Sequence, residues 1–116
     1  MEKLKVVFHI DGMTKWKLTL TNVSHLIVAL KDQPWVIEIV ANSEAVNFYL
    51  AGADNASNLE KINVLVQQGV TFIACNNALK VFNIDPTMIF SNIVVVPAGV
   101  AELVYRQHEG FAYIKP

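Results

Sequence analysis

Cys75 is the only cysteine of the chain and its most capable nucleophile. It stands where an apolar run, Val70-Thr71-Phe72-Ile73-Ala74, gives way to Asn76-Asn77-Ala78-Leu79. The pattern places the thiol between the carboxyl end of a strand and the amino end of a helix. Unpaired N–H groups at a helix start carry partial positive charge and favour thiolate, the attacking form of cysteine. With no second cysteine the chain closes no internal disulfide, so transfer or redox chemistry needs a partner thiol or a small molecule. The alternative is a structural thiol, because unpaired cysteines are among the most deeply buried residue types.

Other candidates gather around the same edge. Parallel α/β sheets bind ligands at the carboxyl ends of their strands. In this chain that edge collects His9 to Gly12, including Asp11, then Asn42-Ser43, Cys75-Asn76-Asn77 and Pro97-Ala98-Gly99. Amides, a hydroxyl, a thiol and a glycine near helix starts suit a small anion or a sulfur-bearing group. His9 alternates with Phe8 and Ile10, as a hydrogen-bonded structural histidine does, although a Cys75–His9 pair at the strand ends is conceivable. His9, His25 and His108 are too far apart for a zinc motif, so no metal is expected. Asp11-Gly12-Met13 lacks the glycine spacing of a nucleotide loop. Ser24, Ser43, Ser57 and Ser91 lack the setting of a hydrolase nucleophile. Glu102 and Arg106, four residues apart, are expected to form a structural or interfacial pair.

The elements that position these residues follow from period and punctuation. Leu4 to Ile10 reads as a buried strand ending at Asp11-Gly12, and Trp35 to Ala41 as a second, apolar but for Glu38. Between them Thr14 to Lys31 carries Trp16, Leu20, Val23, Ile27 and Leu30 on one helical face. Asn42-Ser43 is expected to cap a short helix with Val46, Tyr49 and Leu50, ended by Gly52. Ala53 to Ala56 reads as a turn. Ser57 and Glu60 form a capping-box pattern ahead of Leu59, Ile62, Leu65 and Val66, with Gly69 as the stop. Val70 to Cys75 is the third strand, followed by a small helical segment at Asn77 to Phe82 and an Asp85-Pro86 helix start. Ile93 to Val96, a helix over Gly99 to Glu109 with Val100, Leu103 and Val104 inward, and Phe111 to Ile114 complete the chain. Apolar strands alternating with helices predict an α/β layer fold with a mainly parallel sheet, and no linker or repeat divides it.

Composition narrows the function classes. At 116 residues the chain has room for one domain. A net charge of -1 with only 16% charged residues, and Lys3, Lys5, Lys15 and Lys17 scattered, argues against nucleic acid or an anionic membrane as partner. No run approaches the roughly 20 apolar residues of a membrane span. Met1 to Lys5 leads into a strand instead of resembling a signal peptide, so a cytoplasmic location is expected. The 53% hydrophobic content exceeds what a small core absorbs and predicts a homo-oligomer.

Three segments carry a resemblance. Phe72 to Leu79, Val95-Val96-Pro97-Ala98-Gly99-Val100-Ala101-Glu102-Leu103-Val104, and the ending Arg106 to Pro116 with Glu109-Gly110-Phe111-Ala112-Tyr113-Ile114 resemble the DsrE/DsrF-like family. The Asn83-Ile84-Asp85-Pro86 turn and the opening strand fit as well. The resemblance implies a three-layer α/β/α domain with a five-stranded, mainly parallel sheet, assembled as a homotrimer or homohexamer. It also implies a sulfur-relay role in which Cys75 holds sulfane sulfur as a persulfide for a donor or acceptor protein. Asn76 and Asn77 would line an amide-rich pocket around that thiol, and no cofactor is implied. The competing expectation is an oligomeric ligand-binding or scaffold protein in which Cys75 merely lines the pocket.

Overall fold

The computed structural model describes residues 2–116; Met1 lies outside them. Five strands form one sheet: β1 (Leu4–Ile10), β2 (Trp35–Ala41), β3 (Thr71–Cys75), β4 (Val94–Val96) and β5 (Ala112–Ile114). Their order is β4-β3-β2-β1-β5, and every pairing is parallel. Four helices accompany them: α1 (Trp16–Ala29), α2 (Ala56–Gln68), α3 (Asn76–Val81) and α4 (Gly99–His108).

Handedness explains where the helices lie. From β1 to β4 the chain steps one strand at a time toward one edge, so right-handed crossovers place α1 and α2 on a single face. From β4 to β5 it must return across the whole sheet. The same hand then puts α4 on the opposite face, where Leu103 packs on Val7, Val40 and Ile73. Because all strands are parallel, their carboxyl ends share one edge. A backbone bond from Asn42 N–H to the Ile10 carbonyl (3.0 Å) ties the first two there.

The two faces are built differently. On the α1/α2 side Trp16 stacks on Phe48 at 4.4 Å between ring centres and meets the ring of Tyr49 edge-on at 5.4 Å. Both polar handles of this aromatic group are satisfied: Trp16 Nε1–H donates to the Ala45 carbonyl, and Tyr49 O–H donates to the Ile73 carbonyl. Burial holds the Tyr49 phenol far above its ordinary ionisation range. On the other face α4 alone covers the middle strands.

Local chemistry sets the boundaries. Gly69 ends α2 in the left-handed region (φ 111°), a conformation in which a side chain would be strained. Asp85 Oδ1 accepts from the Thr87 N–H and hydroxyl, starting a 3-10 turn with Pro86 in its first position.

Several expectations are corrected. Ser57 does not cap α2. A 3-10 turn over Ala53–Asn55 runs straight into the helix at Ala56, so Ser57 is already helical and no non-helical cap position remains for its hydroxyl. The short helix after β2 is a 3-10 segment, Ser43–Tyr49, entered without a side-chain cap from Asn42. A 3-10 turn at Met13–Lys15 precedes α1, so that helix is shorter at both ends than its apolar period suggests. Of the three apolar residues expected inward on α4 only Leu103 is buried; Val100 and Val104 are 64% and 60% exposed.

Candidate functional site

Cys75 is the last residue of β3 and the N-cap of α3, its backbone still extended (φ -76°, ψ 116°) as the chain turns into the helix. It lines a cleft of about 350 Å³ together with Asn42, Ser43, Asn77, Phe82 and Gly99. Three helical starts converge on this cleft: the 3-10 segment at Ser43, α3 at Asn76 and α4 at Gly99. The thiol itself is buried, at 6% exposure, so it forms part of the cleft's floor. No Asp, Glu, Lys or Arg lines the cleft among the described residues.

Gly99 makes the close approach possible. A Cβ placed there would lie 3.2 Å from Cys75 Cβ, 3.3 Å from Asn42 Cβ and 3.4 Å from Val40 Cγ1. The backbone of α4 therefore starts directly against the ends of β2 and β3, at a spacing only glycine fills without displacement. Its value to the site is this close contact.

Ser43 adds a second local constraint. It follows β2 in the left-handed region (φ 50°), an uncommon conformation for a residue with a side chain. Strain of this kind is held in place by the surrounding structure and clusters at ligand sites.

His9 does not line the cleft but reaches it through a neighbour. Its Nε2 is 2.9 Å from Asn42 Oδ1, and its Nδ1 is 2.6 Å from the Tyr113 hydroxyl. The carboxamide oxygen only accepts, so His9 Nε2–H donates to it, while the Tyr113 hydroxyl partners Nδ1. Both ring nitrogens are thus partnered. The signal for Tyr113 and Asn42 in the sequence was slight: Asn42 stood at the strand edge, while Tyr113 lies 104 residues from His9.

The remaining predicted residues divide. Asn77 lines the cleft and is exposed, whereas Asn76 heads α3 without lining it. Asp11 accepts from Lys115 Nζ at 3.3 Å in an exposed ion pair, away from the thiol. His25 and His108 are exposed on α1 and α4. Among the described residues no group of His, Cys, Asp and Glu is arranged to hold a metal ion.

A second polar cluster lies under the middle of α4. Arg106 Nε donates to Glu38 Oε2 (3.1 Å) and Glu102 Oε2 (2.9 Å), and Nη1 donates to Glu109 Oε1 (2.8 Å). Glu38 is 4% exposed, and its other oxygen, Oε1, is buried without a hydrogen-bond partner. Burial, reinforced by the neighbouring Glu102, pushes the Glu38 carboxyl up to about 8 despite the guanidinium beside it. Glu102 is held low, first by its neighbour Glu38 and then by the Arg106 guanidinium. Desolvation opposes the charge on Arg106, but its hydrogen bonds to Glu109 and Glu102 and the surrounding carboxyl groups outweigh it and keep the guanidinium ionised. The sequence anticipated the Glu102–Arg106 pair and missed Glu38 as its third member.

Cavity size does not single out the Cys75 cleft. A larger one, about 820 Å³, opens between α1 and α2 beside Leu20, Phe48, Lys17 and Lys61. That cleft has hydroxyls and lysines but no thiol, so chemistry and not volume directs attention to Cys75.

A profile of the DsrE/DsrF-like family matches residues 24–116. The chain belongs to the DsrE/DsrF-like family. The structure of MTH1491 from Methanobacterium thermoautotrophicum, a protein of unknown function, superimposes with a TM-score of 0.85 at 35% identity, covering 98% of this chain and 100% of that one. The ychN protein from E. coli shares the fold at a TM-score of 0.68 and 16% identity, with both chains fully covered. No curated protein sequence matches the chain. The family's all-parallel α/β sheet is the one described above. No helix among the described residues is long and apolar enough to cross a membrane.

Proposed function

We propose that the protein is a sulfane-sulfur carrier, with Cys75 as the residue that is loaded and unloaded. The observation that carries this reading is the placement of the only thiol in a charge-free cleft at the carboxyl edge of the sheet, against the first residue of α4. Membership of a family named for sulfur-relay proteins supports it.

The transfer balances with one cysteine. The Cys75 thiolate attacks the terminal sulfur of a donor persulfide, a Cys75–S–S⁻ bond forms, and the donor S–S bond breaks with its electron pair leaving on the donor thiolate. Unloading is the same exchange toward an acceptor thiolate. No metal or redox cofactor enters either step. N–H groups from the converging helical starts favour the anionic sulfur in both states.

Incubation with a persulfide donor followed by intact-mass measurement tests the reading. Gain of one sulfur by the wild type and none by Cys75→Ser is expected; equal gain in both, or none in either, refutes it. The 6% exposure of Cys75 favours a second reading, a small-ligand pocket in which the thiol is only a wall. That reading predicts ligand-induced thermal stabilisation that survives Cys75→Ser.

A homo-oligomer belongs to the proposal. Val100 and Val104, one turn apart on α4, and Val94 on the edge strand β4 are large exposed apolar groups on the thinly covered face. Burying them between copies is the proposed use of that surface. A monomer by light scattering at micromolar concentration contradicts this part alone.

A further inference from the structure

We propose that His9 is a positioning residue that fixes the Asn42 carboxamide, so that the cleft presents a neutral N–H donor beside Cys75 and accepts anionic sulfur donors in preference to neutral ones. The inference rests on the sulfur-carrier reading of the cleft and adds the charge class of what it accepts.

Three observations lead there. Asn42 lines the cleft, and its Cβ and that of Cys75 flank the same point at Gly99. Its Oδ1 is occupied by His9 Nε2, while its Nδ2 makes no protein hydrogen bond among the described residues. The cleft has no charged side chain, so any preference for anions must come from uncharged donors. An amide anchored through its oxygen has only N–H groups left to offer.

The amide is held by its neighbours. The Tyr113 hydroxyl sits against His9 Nδ1 and steadies the ring, whose Nε2 on the other side holds Asn42 Oδ1 toward the histidine. Without the histidine no hydrogen bond among the described residues distinguishes the two ends of the carboxamide. It could then turn its oxygen to the cleft and repel an incoming anion. A persulfide anion or a thiosulfate-type oxyanion is the ligand class this arrangement selects. Hydrogen bonds to charged acceptors are the stronger kind, and preorganised donors need no reorganisation to form them.

The test compares two alkylating probes on the full-length protein: iodoacetate, an anion, and iodoacetamide, its neutral counterpart. Both depend equally on thiolate fraction and on access to Cys75, so the ratio of their rates isolates charge selection. Asn42→Asp puts a carboxylate at the same point and is expected to lower the iodoacetate-to-iodoacetamide ratio by about tenfold through like-charge repulsion. His9→Phe is expected to lower the ratio severalfold, and Tyr113→Phe by less. His9→Gln, whose amide N–H can still reach Asn42 Oδ1, is expected to restore it.

Tyr113 is 41% exposed, so its variant keeps the measurement open where His9→Phe fails to fold. An unchanged ratio in Asn42→Asp overturns the anion-selecting cleft. A lowered ratio there with no change in His9→Phe or Tyr113→Phe overturns the positioning role. Failure of both probes to modify Cys75 in the folded protein overturns the whole inference. Sulfur loading is read separately by mass, so charge selection without persulfide formation would refute the carrier reading and leave this one standing.

Discussion

The two faces of the sheet do different work. Beneath α1 and α2 the core is apolar, with Trp16, Tyr49, Phe72 and Phe48 locked in a single aromatic group. Beneath α4 the sheet buries a carboxyl, Glu38, in mid-strand and carries Cys75 and His9 toward its edge. One helix covering three central strands leaves room for polar chemistry that a two-helix layer would exclude. The larger core lies on one side, and Cys75 at the strand edge adjoins both that core and the start of α4.

The most forceful challenge to that division is a pair of truncations. Trp16→Ala removes a ring that is 2% exposed together with its stacking and its hydrogen bond, and is expected to cost about 3–5 kcal/mol. Leu103→Ala, at 7% exposure on the thin face, is expected to cost about 2–3 kcal/mol. Urea unfolding of both variants checks the order; a costlier Leu103→Ala would break the comparison.

Gly99→Ala probes the boundary between the α4 layer and the cleft. A Cβ there is 3.2 Å from Cys75 Cβ, so the start of α4 must shift. A loss of about 1–2 kcal/mol, as for overpacking, together with altered alkylation kinetics at Cys75 is the expected outcome. Unchanged stability and kinetics would mean that the contact does not shape the site.

Glu38 gives the subtlest test, through pH. Its carboxyl is raised to about 8 in the folded protein from an ordinary value near 4.5, so the native state holds a proton that the unfolded chain has released between those limits. The contribution of Glu38 is therefore fully present below the lower limit and is lost as pH rises through about 8. Glu102 shifts the other way, so its contribution is lost only on acidification below its ordinary range. A melting temperature that declines between pH 5 and pH 9 in the wild type, and declines much less in Glu38→Gln, is the expected pattern. Parallel curves for the two proteins would remove the buried acid from the account.

The sequence revealed more of the first face than of the second. Every strand was legible within one residue of its bounds, because buried parallel strands are continuous apolar runs with clear stops. Trp16 and Val23 marked the inner face of α1 through their period. On α4 the same logic failed: Val100 and Val104 repeat at helical spacing, yet that stripe points outward, and period alone does not say which apolar stripe meets the sheet. Glu38 stood out as a lone acid in an apolar strand, but its partner Arg106 lies 68 residues on and is brought to it only by the return crossover.

The site was legible as a location and not as a mechanism. Cys75, Asn77 and Gly99 were placed by the rule that strand ends gather ligands, and they do line one cleft. Asp11 and Asn76 obeyed the same rule and do not, because neighbouring residues on a turn point in different directions. The bond between His9 on β1 and Asn42, the residue just after β2, joins positions 33 apart, a proximity that no local pattern encodes.

The most direct test of the central claim is the intact mass of the protein after exposure to a persulfide donor, with Cys75→Ser treated alongside. One added sulfur on the wild type, removed by a thiol acceptor and absent from the variant, is the result the account predicts. A wild type whose mass does not change, or a variant that gains the same sulfur, would contradict it.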